Sequence, residues 1–235
     1  MIPIRDKNPS KTFPYVTIGI IVVNAFLFLV ELSLEIKLDG FLMEYGVIPR
    51  KVISNFQAGN FTFVQTFFPF FSSLFLHGGV VHLVGNMLYL WIFGDNIEDK
   101  LGHFKYLCFY VLCGVIASLV HVLLNKNSAI PCIGASGAIA GVLGAYMITF
   151  PHARIVTIIP ILFLWQIIEL PAMVVLGFWF ILQFFFGAAS ITSSVSGGGV
   201  AWWAHIGGFI SGIFIFYALR VVHVGKKRIS KYRLL

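Results

Sequence analysis

The chain has 235 residues, of which 59% are hydrophobic and only 11% are charged. Soluble proteins carry about 25% charged residues, so this composition excludes an ordinary soluble domain and indicates a protein that crosses a membrane several times. The net charge of +7 is explained by membrane topology and contact with lipid headgroups, and it gives little support to nucleic-acid binding.

Runs without charged residues predict the membrane spans, because a bilayer core needs roughly 20 apolar residues in a helix and charged side chains are costly at its centre. The first run is too long for a signal-peptide core and no cleavage motif follows it, so it counts as a helix. The runs predict an all-α polytopic membrane protein, a single domain with six spans: residues 14–32, 79–95, 105–125, 134–150, 171–187 and 201–220.

Three connecting segments have their own character. Residues 33–78 include FTFVQTFFPFFSSLFLHGG, which is too apolar for a solvated loop, so we expect this segment to lie partly in the outer leaflet. Residues 155–168 are apolar but too short to cross, and they contain Pro160; they are interpreted as interfacial or re-entrant. The Ser/Gly-rich stretch GAASITSSVSGGGV predicts a flexible linker before the sixth span.

Basic residues predict the orientation. They are more numerous at the span ends on the N-terminal side, and the C-terminal tail GKKRISKYR would lie on that same side. Basic residues favour the cytoplasmic face, so both termini are predicted to be cytoplasmic. The short termini and the lack of a transit peptide favour a bacterial inner membrane.

Four polar residues lie at one predicted depth inside the membrane. His82 and Asn86 are in the second span, Ser136 opens the fourth and His205 is early in the sixth. These spans all run from outside to inside, and each residue falls within the first two turns of its helix. Polar residues inside spans are candidates for function, and their shared level below the outer surface suggests a common cavity.

Small residues predict that the fourth and sixth spans touch. The segments GASGAIAGVLGAY and WWAHIGGFISG place small residues along one helix stripe each, and such stripes let two backbones approach closely in lipid. If these helices pack together, Ser136 and His205 can come within hydrogen-bond reach, which is the minimum arrangement for an activated nucleophile. The stripes are Gly137, Gly141 and Gly144 in one span, and Ala204, Gly208 and Gly212 in the other.

His82 and Asn86 are four residues apart, so they share a helix face. Both can donate hydrogen bonds to an oxyanion that forms at Ser136. The alternative is structural, because a histidine or asparagine in a span often only bonds a neighbouring helix, and a stripe of small residues often only packs.

The sequence resembles the rhomboid family of intramembrane serine proteases. The resemblance runs from about Phe61 to Leu219 and rests on three motifs in order: FLHGGVVHLVGNMLYLWIFGDNIED, GASG and AHIGGFISG. It implies a rhomboid-like bundle in which Ser136 is the nucleophile and His205 the general base. His82, Asn86 and the backbone at Gly137 would form the oxyanion hole.

The resemblance also implies how substrates meet the site. The Phe-rich loop would lie laterally in the membrane, and the fifth helix with its following loop would gate substrate access. The partners would be transmembrane protein substrates in a lipid bilayer, cleaved near the outer face. Neither a metal nor another cofactor is implied, and the oligomeric state is left open.

Two positions depart from the family pattern. Many members have an aromatic residue four positions after the nucleophile, stacked on the base, but here that residue is Ala140. Either Trp203 or Tyr146 is therefore expected to hold the His205 ring, or the ring is held less firmly than in those members. The Trp-Arg pair of some members is also missing, and FFPFF stands near its place.

Other functions fit the sequence less well. No carboxylate lies in a span interior, which suits a dyad and speaks against an aspartyl protease, and the metalloprotease motif H-E-x-x-H is missing. A catalytically inactive rhomboid-like protein that binds membrane clients is the main alternative, although such proteins typically lack the serine or the histidine. A transporter comes last, because neither internal symmetry nor a path of buried charges is evident.

Overall fold

The computed structural model describes residues 1–59, 62–161, 164–192 and 200–232. Within these residues short strands accompany a bundle of helices: β1 (Ile2–Asp6), α1 (Tyr15–Ser33), α2 (Leu38–Tyr45), α3 (Pro49–Gln57), α4 (Pro69–Ser72), α5 (Val80–Leu101), α6 (His103–Leu124), α7 (Ser136–Thr149), β2 (Arg154–Ile161), β3 (Leu164–Pro171), α8 (Ala172–Thr192) and α9 (Trp202–Tyr232).

A helix covers each of the six predicted spans, but these helices differ in length. Among the described residues, α1, α6, α8 and α9 are long and apolar enough to cross a membrane. A fifth candidate is Phe63–Phe75 followed by α5, a pair that bends by 79°. Helix α7 is apolar but has only 14 residues. The all-α polytopic class is confirmed, and the count of six spans stays a prediction.

The long segment between α1 and α5 is folded into short helices. Proline at the first position begins both α3 and α4, where a missing N–H costs no helix bond. Val47 and Cys132 exchange two backbone hydrogen bonds of 3.1 and 2.8 Å, which tie this segment to the chain just before α7. Several of its phenylalanines are exposed, including Phe63 and Phe67. Its expected position in the outer leaflet stays a prediction.

The apolar segment after α7 forms a β-hairpin. Strands β2 and β3 pair antiparallel from Arg154 opposite Pro171 to Ile161 opposite Leu164, and β1 pairs with the other edge of β2. The sequence RIVTIIPI is rich in β-branched residues, which favour strands. The hairpin adds a small sheet to the predicted helical class, and its expected interfacial position stays a prediction.

Helix α7 lies at the centre of the bundle, between α5, α6 and α9. The predicted close approach of α7 and α9 is confirmed. A Cβ added at Gly208 would meet the carbonyl oxygen of Gly137, and one added at Gly212 would meet that of Gly141. On the α6 side, a Cβ at Gly137 would lie 2.6 Å from the Cβ of Ala117. The lack of a side chain at Gly208 and Gly212 therefore lets α9 approach α7 closely.

Candidate active site

The serine and histidine singled out from the sequence are hydrogen-bonded. The Oγ atom of Ser136 lies 2.8 Å from Nε2 of His205, across the α7–α9 contact. Ser136 is the first residue of α7 and is partly exposed, whereas His205 in the first turns of α9 is 8% exposed. The hydroxyl can donate its proton to this nitrogen, which is the arrangement that activates a serine.

The turn before Ser136 requires glycine. Gly134 has φ of +122°, a conformation that side chains rarely adopt, and its N–H donates to the carbonyl oxygen of Ser73 at 2.8 Å. A Cβ at this position would also lie 2.8 Å from the ring of His82. Gly134 thus lets the chain turn sharply into α7 while His82 packs directly against the turn.

His82 and Asn86 lie beside this turn, as their spacing on α5 predicts. The Nδ1 atom of His82 accepts a 3.4 Å bond from the N–H of Gly78, so in the neutral ring Nε2 carries the proton and faces Gly134. Asn86 is 8% exposed, and its Nδ2 group has no hydrogen-bond partner within the described part of the chain. Both donors therefore lie beside Gly134, in the turn that leads into Ser136.

Gly137 offers a backbone donor at the same place. It is the second residue of α7, in the first turn, where a helix provides no acceptor for the N–H group. Because it has no side chain, Gly137 also packs closely against Ala117 and Ala204. The candidate oxyanion donors thus come from α5 and from the start of α7.

The groups that hold His205 differ from those expected. The Nδ1 atom of His205 lies 2.7 Å from Oε1 of Gln183 on α8. The rings of Trp179 and Trp202 are 5.7 and 6.4 Å from the imidazole, centroid to centroid. The expectation of Trp203 or Tyr146 is wrong. Among the described residues neither ring contacts the imidazole, and the Tyr146 hydroxyl donates to Asp6 at the other end of α7.

Ala140 is explained by the same packing. It is fully buried, and its Cβ would lie 3.3 Å from a Cβ added at Gly208. A large aromatic side chain has no room between α7 and α9 at this distance. The aromatic contact with the His205 ring comes instead from Trp179 on α8 and from Trp202, one turn before His205 on α9.

One carboxylate is buried near this end of the bundle, contrary to expectation. Glu31 at the end of α1 is 2% exposed, and both of its oxygens lie 3.2 Å from the backbone N of His77. The ring of His77 packs edge-on against that of His82, 5.1 Å away. Glu31 therefore supports the segment before α5, and it makes no contact with His205.

The sequence carried signals for some of these residues. Gln183 is a polar residue inside an apolar span, which by itself marks a candidate for function. Glu31 stands at the end of a predicted span, where a carboxylate normally meets water. Its burial depends on the fold of residues 73–77, which no local pattern predicts.

A separate cavity of about 790 Å³ lies at the opposite end of α5. Its lining includes Asp6, Trp91 and Asp95 together with the N-terminal segment. Ser136 and His205 are at the other end of their helices, so this cavity belongs to a different part of the molecule.

Comparison with known proteins finds a matching family profile and several relatives. The sequence profile described as "Rhomboid domain" matches residues 64–221. The chain is 38% identical over 87 residues to "Rhomboid protein 1, mitochondrial" of Saccharomyces cerevisiae, covering 35% of this chain and 25% of that protein. It is 28% identical over 151 residues to "RHOMBOID-like protein 6, mitochondrial" of Arabidopsis thaliana, covering 63% and 42%.

A third relative is "RHOMBOID-like protein 5" of Arabidopsis thaliana, 38% identical over 76 residues, or 32% of this chain and 25% of that protein. The chain thus spans from a quarter to about two fifths of the length of these curated relatives. The profile match, in contrast, covers well over half of this chain and includes Ser136, His205, His82 and Asn86.

Proposed function

We propose that this chain, which belongs to the rhomboid family, is an intramembrane serine endopeptidase. The observation that carries the proposal is the 2.8 Å contact between Ser136 Oγ and His205 Nε2. A serine that is hydrogen-bonded to a buried histidine is the arrangement of an activated nucleophile. Such polar groups are costly inside a membrane protein, and their presence beside further donors therefore favours a catalytic role.

The proposed reaction is acyl transfer. His205 Nε2 takes the proton of Ser136 as Oγ bonds to the carbonyl carbon of the substrate, and the carbonyl electrons move onto its oxygen. His82, Asn86 and the N–H of Gly137 donate to this oxyanion. His205 then gives the proton to the departing amine, and water attacks the acyl enzyme by the same route in reverse.

The proposed substrates are transmembrane segments of other membrane proteins, cut near the outer face. A helical peptide bond hides its carbonyl, so the segment must unwind before Ser136 can attack it. We propose that α8 and the loop after it gate substrate access; of that loop, residues 193–199 lie outside the described part of the chain. Small or helix-breaking residues at the cleavage site would make unwinding easier.

The proposed orientation places both termini in the cytoplasm and Ser136 toward the outside. On the sequence alone, the proposed location is a bacterial inner membrane. The comparisons do not add support for it, because the names of several relatives say "mitochondrial". The proposed partners are the transmembrane substrates and the bilayer itself.

Replacing either member of the dyad tests the proposal. With the purified protein in liposomes and a transmembrane substrate, we expect Ser136→Ala and His205→Ala each to lower cleavage by at least about 10³-fold, because neither can form the acyl enzyme. The matched control is Ser211→Ala, which removes a hydroxyl outside the dyad that donates to Gly208 O at 2.9 Å on its own helix and also contacts the thiol of Cys113 on α6. Cleavage should stay within a few-fold of wild type in this control.

Two outcomes would contradict the proposal. One is cleavage that survives in Ser136→Ala. The other is a folded wild-type protein that binds transmembrane segments but cuts none of them, which favours the catalytically inactive client binder.

A further inference from the structure

Gln183 contacts Nδ1 of His205, the ring nitrogen for which a Ser-His dyad specifies no partner. It lies in the middle of α8, is 6% exposed, and its Oε1 atom is 2.7 Å from Nδ1 of His205. Burying an amide in a membrane helix is costly unless its polar atoms are bonded. Both ends of this amide are bonded, and one of them is bonded to the proposed base.

The second bond of the amide fixes which end faces His205. The Nε2 group of Gln183 donates to the carbonyl oxygen of Trp179, 3.3 Å away and one turn earlier on α8. A carbonyl oxygen only accepts, so the NH₂ group must face Trp179 and the amide oxygen must face the imidazole. Gln183 can therefore only accept a hydrogen bond from His205.

This acceptor selects one form of the neutral imidazole. A proton on Nδ1 satisfies Gln183 and leaves Nε2 with a lone pair aimed at the Ser136 hydroxyl. The other tautomer would set two acceptors against each other at 2.7 Å and would present Ser136 with an N–H group that cannot take its proton. The geometry thus favours the form of His205 that can act as a base.

Helix α8 also orients the ring. Trp179, whose carbonyl holds the Gln183 amide, lies with its own ring tilted by 35° over the imidazole. Trp202 meets the imidazole edge-on, at 89°. One turn of α8 therefore supplies both an aromatic contact and a hydrogen-bond acceptor for His205. They replace the aromatic residue that many rhomboid proteins have at the position of Ala140.

We propose that Gln183 is a positioning residue that holds His205 in the tautomer with a free Nε2. The inference deepens the proposed function and, for its kinetic part, rests on it. During the reaction the proton of Ser136 moves to Nε2 and then to the leaving amine, while the Nδ1 proton stays on His205 and remains bonded to Gln183. The amide takes up no proton, so the assembly is a Ser-His-Gln arrangement with a neutral third member.

The experiment replaces the amide of Gln183 with side chains of similar volume. Gln183→Met removes both polar atoms, whereas Gln183→Glu keeps an acceptor oxygen in either protonation state. Leu176→Met is the matched control, because Leu176 is a fully buried residue two turns earlier on α8. Each variant is assayed for kcat and KM on a transmembrane substrate in liposomes, and ¹⁵N NMR of His205 reports which ring nitrogen carries the proton.

We expect Gln183→Met to lower kcat by about 10- to 100-fold with KM unchanged, and to lose the Nδ1–H signal in favour of a mixture of tautomers. Gln183→Glu should keep the Nδ1–H tautomer and more of the activity than Gln183→Met. Leu176→Met should match wild type in both readouts. If Gln183→Met fails to fold, Gln183→Asn withdraws the acceptor by one methylene and takes its place.

The inference is overturned if folded Gln183→Met keeps wild-type kcat and tautomer, or if the Met and Glu variants lose activity equally with an unchanged tautomer. The NMR readout does not depend on turnover. A wild-type protein that cleaves nothing, but whose Nδ1–H signal is lost in Gln183→Met, would overturn the protease and support the positioning role.

Discussion

The two ends of helix α5 hold polar groups of different kinds. At its start, the exposed His82 and the buried Asn86 lie beside the turn before Ser136, and the Glu31 carboxylate meets the backbone N–H of His77 next to His82. At its end, Glu98 is fully buried and accepts bonds from the backbone N–H groups of Val16 and Thr17 at 2.9 and 2.8 Å. Among the described residues, the Nδ2 donor of Asn86 has no protein partner, whereas each oxygen of the Glu98 carboxylate accepts from a backbone N–H group.

The carboxylate end fastens the N-terminal part of the chain to the bundle. Glu98 also accepts from the Thr17 hydroxyl at 2.7 Å and bonds His103, and its neighbour Asp99 accepts from Thr12. A buried carboxylate destabilises a fold unless donors surround it, so Glu98 can be buried here only because these bonds are made. The first turn of α1 supplies them, since its N–H groups have no partner within the helix.

The difference between the ends teaches how structure and function can be told apart in an apolar protein. A buried group whose bonds are all made within the chain holds elements together. A donor that the fold keeps buried and unpaired next to a nucleophile is available for a charge that forms only during a reaction. Substitutions at the two ends should therefore affect different measurements.

Outside the dyad itself, the largest expected effect is at Asn86. Asn86→Ala removes one donor to the proposed oxyanion, and losses of this kind are about 10²- to 10³-fold in kcat. Within the described part of the chain this donor has no partner, so KM and the free energy of unfolding should change little. Steady-state cleavage and unfolding in mixed detergent micelles check both parts. A loss confined to KM would remove the oxyanion role.

Glu98 should show the opposite pattern. Glu98→Gln places an NH₂ group against N–H donors at the start of α1, so we expect the free energy of unfolding to fall by about 2 to 3 kcal/mol while cleavage per folded molecule is kept. The control is Glu169→Gln at the exposed pair with Lys7, where about 1 kcal/mol or less is expected. Equal losses in the two variants would contradict the stabilising role of the buried Glu98 carboxylate.

The smallest effect is a pH dependence at Asp6. Burial, and secondly the nearby charge of Asp95, raise the pKa of Asp6 from 3.8 to about 6. The folded protein therefore holds this proton more tightly than the unfolded chain, so the stabilisation is full below pH 3.8 and is lost as the pH rises through about 6.

Asp6→Asn should flatten this pH dependence, on the order of 1 kcal/mol once solvent screening of a half-buried group is allowed for. Unfolding measured between pH 4 and pH 7 checks it, with the exposed Asp39→Asn as control. An unchanged slope in Asp6→Asn would mean that another group titrates in this range.

The sequence predicted what short-range patterns determine. Charge-free runs located the helices, and the small-residue stripes on α7 and α9 predicted the contact that brings Ser136 to His205. The β-hairpin was missed because a short apolar run is equally consistent with a strand and with a membrane segment, and its pairing with β1 joins residues about 150 positions apart. The partners of His205 were missed for a related reason, since Gln183 and Trp179 reach it only through the packing of α8 on α9.

The central claim is that Ser136 is an activated nucleophile, and covalent labelling tests it most directly. The purified protein in detergent is treated with a fluorophosphonate probe, and mass spectrometry locates the adduct in wild type and in His205→Ala. The account predicts label on Ser136 in the wild type and its loss in the variant. A folded wild-type protein that carries no label, or a His205→Ala protein labelled as fast as wild type, would contradict it.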